Sequence, residues 1–303
     1  MRIVSLLPSA TEMVVALGRG KNLVGRSSEC DFPPSVRGLP AVMRPRAWDG
    51  DRPSAEIDYR VRSTRSAGES LYVLDIPLLA RLRPDVILTQ DLCGVCSVTD
   101  AEVAAACRLA GVDPQIVSLT PRTLAEVADT IEAVGRAIGA PIAGRRLGAT
   151  LRSRPAPPSP SKRPLVAVVE WLDPPILAGL WTPEIIERAG GSALGPRPGA
   201  VGHRTTWAAI HRSHPSLVLV APCSFSVART ARELSDSPLG NRFLGLGAER
   251  GVWLADEAYF SRPGPRLAHG ISLVRSLLKG GVASPPMPIQ RWDPPPPTEE
   301  AER

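Results

Sequence analysis

Cysteine, histidine, aromatic residues and long apolar runs are all scarce in this chain. Among 303 residues there are 5 cysteines and 4 histidines, and aromatic residues make up 4%. So few cysteines exclude a disulfide-rich secreted scaffold. No stretch approaches the ~18–20 consecutive apolar residues that a transmembrane helix requires, so the sequence predicts no membrane span.

The N-terminus lacks the features of a signal peptide. Its apolar run, IVSLL, is short and is followed by Pro8, and no small-residue cleavage motif comes after it. We therefore expect a cytoplasmic protein. A periplasmic or extracellular location is the alternative, if an export signal is missing from the start of the sequence.

Runs of one charge are also missing. The chain carries 36 basic and 30 acidic residues, a net charge of +6, but Lys and Arg are spread along it without a cluster or a recognition motif. Nucleic acid is therefore not an expected partner.

Alternating strand and helix patterns indicate an α/β protein. Short apolar segments such as RIVSLL, VILT, LVAVVEW and LVLVAP are each followed by residues with helical apolar spacing. This alternation predicts two Rossmann-like α/β lobes with mainly parallel sheets, over residues 1–121 and 154–281. Residues 122–153 are predicted to be mostly one connecting helix, which would break near Gly139 to Pro141. The Pro-rich, charged residues 282–303 are expected to be disordered.

Local patterns give further expectations. Ser9 and Glu12 have the spacing of a capping box, and Thr99 or Asp100 is expected to begin a helix. The segment AEIDYRV is a possible strand. Cys107 lies among alanines in a helical segment and is expected to be a buried apolar residue.

The other four cysteines fall in predicted strand-end loops, where ligands bind in open α/β sheets. Cys93 and Cys96 form a C-x-x-C after the strand VILT, Cys30 lies in SSECD, and Cys223 lies in PCSF. Three interpretations stay open: buried thiols, a redox pair, or a zinc or iron–sulfur site. The metal site would use Cys30, Cys93 and Cys96, with Cys223 as a fourth ligand.

Aromatic residues mark the predicted loops of the second lobe. Trp171, Trp181, Tyr259 and Phe260 either seal the interface between lobes or form a flat apolar wall for a small molecule. Arg262 could pair with carboxylates or bind a ligand carboxylate or phosphate.

Several ordered motifs resemble one family. These are SLLPSATEMVVALG, SSECDFP, LRPDVILTQDLCGVC, AGLWTPEIIERAGG and YFSRPGPR. They resemble the BtuF-like cobalamin and iron-siderophore substrate-binding proteins, which are class III, TroA-like, helical-backbone receptors. The likeness extends from about Arg2 to Gly280. It departs at Ser28 and Leu180, where the family often has histidine.

The resemblance implies a corrinoid or metal-chelate binding protein of the ABC-transporter type rather than an enzyme, with cobalamin or a related corrinoid held between the lobes. The ligand-binding residues would be Glu12, Glu29, Trp171, Trp181, Tyr259, Phe260 and Arg262. Glu12 and Glu187 could dock to arginines of a transporter permease. The alternative function is a cytoplasmic metalloprotein or enzyme with the zinc or iron–sulfur site described above.

Overall fold

The computed structural model describes residues 1–46, 51–91, 98–152, 163–243, 246, 248–281 and 288–293. The chain divides into two compact units. Unit 1 consists of Met1–Ser153 and the short segment Arg262–Pro265, and unit 2 consists of Arg154–Ser261 and Arg266–Arg303. Each contains a sheet covered by helices, so the predicted pair of α/β lobes is confirmed.

In the described part of unit 1 the strands form a six-stranded sheet, in which the pair β3 and β4 is antiparallel and the other pairs are parallel. The strands are β1 (Ile3–Ser5), β2 (Leu23–Ser27), β3 (Ala41–Pro45), β4 (Tyr72–Leu74), β5 (Val86–Thr89) and β6 (Gln115–Ser118). Their spatial order is β4-β3-β2-β1-β5-β6. Every residue of β1 and β5 is buried, as expected for central strands covered on both faces.

The helices of unit 1 are α1 (Pro8–Ala16), α2 (Ser54–Ser66), α3 (Ile76–Leu82), α4 (Asp100–Ala110), α5 (Leu124–Ala137) and α6 (Pro141–Arg152). Helix α4 begins with a complete capping box between Thr99 and Glu102, which confirms the predicted start. Cys107 on α4 packs in the apolar core with Val4, Ile87 and Val103, as predicted.

The predicted break near Gly139 to Pro141 is confirmed, but it divides this segment into a hairpin of two helices rather than leaving mostly one helix. Helix α5 ends at Ala137, Gly139 has a φ of +70°, and α6 begins at Pro141. Glycines allow the two backbones to pack closely, because a Cβ on Gly135 would lie 2.9 Å from the Cα of Gly144. Both helices belong to unit 1, and a connecting role for residues 122–153 remains a proposal.

The possible strand at AEIDYRV is wrong, because these residues lie in helix α2. Three ion pairs at helical spacing stabilise it: Arg52 and Arg60 contact Glu56, and Arg62 contacts Asp58. The apolar alternation is limited to a few residues, and these i,i+4 pairs favour the helix.

Unit 2 contains a second, mainly parallel sheet in the order β10-β8-β7-β11-β12-β13, with β9 also paired to β7. Its strands are β7 (Leu165–Trp171), β8 (Ile176–Leu177), β9 (Ser192–Leu194), β10 (His203–Arg204), β11 (Leu217–Val220), β12 (Val252–Ala255) and β13 (Ile289–Trp292). Its helices are α7 (Thr182–Ala189), α8 (Trp207–Arg212), α9 (Val227–Ser235) and α10 (Leu267–Leu278). Among the described residues, no helix is both long and apolar enough to cross a lipid bilayer.

The expected disorder of residues 282–303 is wrong for one segment. Ile289–Trp292 forms β13, which pairs antiparallel with β12 at the edge of the sheet. Trp292 is buried, so an isolated apolar residue anchors this strand within a Pro-rich sequence. Residues 282–287 and 294–303 lie outside the described part of the chain.

Candidate functional site

Two carboxylates of unit 1, the predicted site residue Glu12 and its neighbour in the fold Asp31, converge on Arg262. Its guanidinium donates to Asp31 Oδ1 at 2.6 Å and to Glu12 Oε1 at 3.2 Å. The Glu12 side chain is 4% exposed and that of Arg262 is 14% exposed, whereas Asp31 is 45% exposed. Because two carboxylates already neutralise it, the guanidinium holds the segment Arg262–Pro265 within unit 1.

The predicted capping box at Ser9 and Glu12 is not formed. Helix α1 begins two residues earlier than a Ser9 cap would require, with Pro8 in its first turn and Leu7 as an N-cap that makes no side-chain hydrogen bond. The Glu12 carboxylate accepts a hydrogen bond from Arg262.

The loop that follows β2 is held by Arg26. Its guanidinium donates to the backbone carbonyls of Ser27, Ser28 and Arg37 at 2.8–3.0 Å. Glu29 lies in this loop and accepts a hydrogen bond from the hydroxyl of Tyr72 at 3.1 Å. The loop thus presents carboxylates in a fixed arrangement at the carboxyl end of β2.

Cys30 is a buried residue of the same loop. The hydroxyl of Thr11 donates to its Sγ at 3.0 Å and also contacts Ser5 Oγ at 2.9 Å. Burial raises the pKa of the Cys30 thiol to about 11, although the bond from Thr11 acts in the opposite direction. A protonated thiol in a hydrogen-bonded core is typical of a packing residue.

The proposed metal cluster has no support among the described residues. No group of three His, Cys, Asp or Glu residues placed to hold a metal ion occurs in this part of the chain. Cys223 is half-buried after β11 in unit 2. Cys93 and Cys96 lie outside the described residues, so the cysteine site stays a prediction.

Three of the four predicted aromatic wall residues are buried: Trp181, Tyr259 and Phe260 are at most 6% exposed. The indole of Trp181 donates to the backbone carbonyl of Phe260 at 2.5 Å. The Tyr259 ring lies 5.4 Å from the guanidinium carbon of Arg266. These contacts within unit 2 join the start of α7 to the loop before α10.

Trp171 is the exception, because it is half-buried at the end of β7. Its ring packs edge-on against Phe225, with the ring centres 5.5 Å apart. Arg229 covers Phe225, with its guanidinium carbon 3.5 Å from the ring centre. Trp171, Phe225 and Arg229 together form a supported aromatic–cation group, which we call the Trp171 stack.

The two glutamates proposed for docking differ in exposure. Glu187 on α7 is exposed. Glu12 is buried and ion-paired, so it is not available to a partner surface. The docking hypothesis therefore depends on Glu187.

The structure also describes Ser28 and Leu180, the two positions at which the BtuF-like family often has histidine. Ser28 is half-buried in the loop held by Arg26, and Leu180 is half-buried with a φ of +53°. Leu180 exchanges two backbone hydrogen bonds with Gly199 and Ala200.

Sequence reasoning missed Asp31, Phe32, Tyr72, Phe225 and Arg229. Asp31 and Phe32 stand in the quoted motif SSECDFP, and Phe225 stands in the loop beside Cys223, so their strand-end position was a usable signal. Phe32 is a large apolar side chain that is 45% exposed. Tyr72 and Arg229 come from β4 and α9, and no local pattern marks them.

Comparison with known proteins identifies the fold. No protein-family model matches the sequence, and no curated protein matches it. The vitamin B12 binding protein BtuF of Vibrio cholerae is similar in structure, with 20% identity, a TM-score of 0.64, and coverage of 92% of this chain and 96% of that one.

Two further proteins of similar structure are named for other ligands. A periplasmic heme-binding protein from Pseudomonas aeruginosa has 18% identity and a TM-score of 0.66, with 93% of each chain covered. A Fe3+-hydroxamate transport protein from Saccharomonospora viridis has 14% identity and a TM-score of 0.61, with 91% of this chain and 92% of that one covered. The first two are periplasmic, and the expected cytoplasmic location gains no support from them. The resemblance seen in the sequence is confirmed at the level of the fold: this chain shares the fold of these binding proteins, with two α/β units of mainly parallel strands.

Proposed function

We propose that this chain is the substrate-binding component of an ABC importer and that it binds a metal chelate of the corrinoid class. The fold is shared with proteins named for B12, heme and ferric hydroxamate, which are all metal chelates. Fold likeness alone does not determine the ligand. The observation that carries the proposal is the Trp171 stack.

The Trp171 stack suits a flat, largely apolar ligand. Trp171 lies at the carboxyl end of a parallel strand, where open α/β sheets bind ligands. Its half-buried ring is supported by Phe225, which is 1% exposed. Arg229 also packs on the Phe225 ring. A rigid aromatic surface of this kind contacts a macrocycle at little entropic cost.

The loop after β2 in unit 1 is a second surface with suitable chemistry for a chelate. Phe32 exposes apolar surface there, and Glu29 and Asp31 present carboxylates next to it. Amide and hydroxyl groups at the rim of a chelate would hydrogen-bond these carboxylates. In this proposal the buried ion pair between Arg262 and Glu12 is structural. Trp181, Tyr259 and Phe260 support the loops rather than line the ligand.

Tryptophan fluorescence provides the test. We expect dicyanocobinamide to quench the emission of the full chain saturably. Trp171→Ala should weaken binding by about 10- to 100-fold, the usual loss when a central aromatic contact is removed. Trp253→Phe is the matched control, because Trp253 is also half-buried on a strand of unit 2 and its indole already donates to the carbonyl of Arg250.

The same titration includes hemin and ferrioxamine as competing chelates. Absence of saturable quenching by all three would refute chelate binding. Equal weakening by Trp171→Ala and Trp253→Phe would refute the Trp171 stack as the contact.

We also propose that Glu187 docks to an arginine of the importer permease. It is exposed on α7, which packs against α10. Glu187→Arg should lower uptake of labelled ligand in cells that carry the importer, because like charges would meet. The affinity measured by quenching should not change. Unchanged uptake would show that Glu187 does not contact the permease.

A further inference from the structure

A pocket lies in unit 2, lined by residues other than those of the proposed chelate site. It has a volume of 390 Å³ and lies between helix α8 and the strands β8, β9 and β10. Its lining consists of Leu177, Leu194, Gly195, Pro196, His203, Thr205, Ala209, Ile210 and Ser213. None of these residues belongs to the Trp171 stack or to the loop after β2.

The chain segments next to this pocket are held together by tight backbone packing. A Cβ on Gly179 would lie 2.4 Å from the carbonyl oxygen of Ala200, so the loop before β10 packs directly on the backbone of Gly179. Leu180 exchanges backbone hydrogen bonds with Gly199 and Ala200. The strand β10 then continues the sheet by pairing His203 with Leu177.

The lining chemistry defines the class of ligand. Leucine, isoleucine, proline and alanine side chains form most of the lining, and no Lys, Arg, Asp or Glu is among the lining residues. His203, Thr205 and Ser213 provide hydrogen-bonding groups. The Ser213 hydroxyl donates to the carbonyl of Ala209 at 3.0 Å, so its oxygen is left as an acceptor.

We propose that this pocket binds a compact, neutral, mostly apolar molecule that carries one hydrogen-bond donor. The volume lies in the range of small-molecule sites, which are mostly apolar with a few placed polar groups. A charged ligand would be disfavoured, because the lining offers no opposite charge to compensate for its desolvation. The site is separate from the proposed chelate site, so each can fail without the other.

Ligand-observed fluorine NMR with 4-fluorophenol tests the proposal. We expect saturable binding in the millimolar range, since so small a ligand has a limited affinity. Fluorobenzene, which lacks the hydroxyl, should bind several-fold more weakly, and the anion 4-fluorobenzoate should not bind. Two neighbouring alanines of α8 give matched variants, because Ala209 lines the pocket and Ala208 is exposed outside it.

Ala209→Leu should fill the pocket and weaken 4-fluorophenol binding by at least about tenfold, whereas Ala208→Leu should leave it unchanged. If Ala209→Leu does not fold, Ser213→Ala replaces it. This variant removes the hydroxyl oxygen that would accept the ligand's hydrogen bond, so it should weaken 4-fluorophenol but not fluorobenzene. Absence of saturation, equal effects of the two alanine variants, or equal binding of 4-fluorobenzoate would overturn the proposal.

Discussion

At the scale of single residues, Cys30 shows how burial decides chemistry. Its sulfur lies in a core with Thr11 and Ser5, and the pKa of its thiol is raised to about 11 from an ordinary 9.0. Desolvation is the main cause, because a thiolate loses its hydration there. The same residue in an exposed strand-end loop would be a reactive ligand.

This shift predicts a loss of stability in alkaline solution. Below pH 9 the thiol is protonated in both the folded and the unfolded chain. Between about 9 and about 11 the unfolded thiol ionises first, so the free energy of unfolding falls as pH rises. Urea denaturation at several pH values should show a total fall of about 3 kcal/mol that Cys30→Ala lacks. If the free energy of unfolding falls equally with pH in the unsubstituted protein and in Cys30→Ala, burial of the Cys30 thiol is not the cause.

Arg262 provides a second prediction, because removing it leaves Glu12 charged and buried. We expect Arg262→Met to lower the free energy of unfolding by about 3 kcal/mol. Adding Glu12→Gln should recover part of that loss. The control is Arg52→Met, which breaks a surface pair with Glu56 and should cost under about 1 kcal/mol. If Arg262→Met and Arg52→Met lower the free energy of unfolding by similar amounts, the ion pair between Arg262 and Glu12 does not behave as a buried ion pair.

At the scale of elements, the α5–α6 hairpin depends on glycine. A Cβ on Gly148 would lie 2.9 Å from the carbonyl oxygen of Ala128, and that oxygen belongs to a helix backbone that cannot easily yield. Gly148→Ala should therefore destabilise the protein by about 1–2 kcal/mol, even though alanine is the better helix former. Gly38→Ala, with nothing within 4 Å, is the thermal-denaturation control and should be close to neutral. A more stable Gly148→Ala protein would show that the helices can separate to accept a methyl group.

Two glycine substitutions in and at the end of helix α3 should change the stability of the protein in opposite directions. Arg83 ends this helix in the left-handed conformation, with a φ of +45°, and is exposed. Arg83→Gly should stabilise the protein by up to about 1 kcal/mol, because glycine adopts this conformation without strain. Arg81→Gly, inside the same helix, should destabilise it by about 0.5–1 kcal/mol. Equal melting temperatures for both variants would contradict the strain at Arg83.

Elements with local signals could be predicted from the sequence, and those with distant causes could not. The capping box at Thr99 and the apolar spacing of α5 are both formed as expected. Helix α2 escaped prediction because its ion pairs, rather than an apolar stripe, stabilise it. Ser9 and Glu12 match a capping pattern, yet the true partner of Glu12 is Arg262, 250 residues away. The candidate site could be predicted only in part for the same reason. Tyr72 contacts Glu29 and Arg229 contacts Phe225 only once the strands and helices have assembled.

At the scale of the whole molecule, net charge should separate the possible chelates. The chain carries +6, so it attracts anions over a distance that salt shortens to about 10 Å at 0.1 M. Dicyanocobinamide is neutral overall, whereas heme carries two carboxylates. A long-range attraction acts on the association rate of a charged ligand and leaves that of a neutral one almost unchanged.

We therefore expect stopped-flow quenching by dicyanocobinamide to show an association rate that varies less than about twofold between low and high salt. Any binding of hemin should slow by about tenfold or more over the same range, because its carboxylates lose the attraction of the positively charged chain. Displacement of one chelate by the other would place both at the Trp171 stack, and Trp171→Ala should then weaken both. Tight, salt-dependent binding of hemin without any binding of dicyanocobinamide would move the proposed ligand from the corrinoids to the porphyrins, since the two macrocycles share a flat metal-centred body and differ in the charge at the rim.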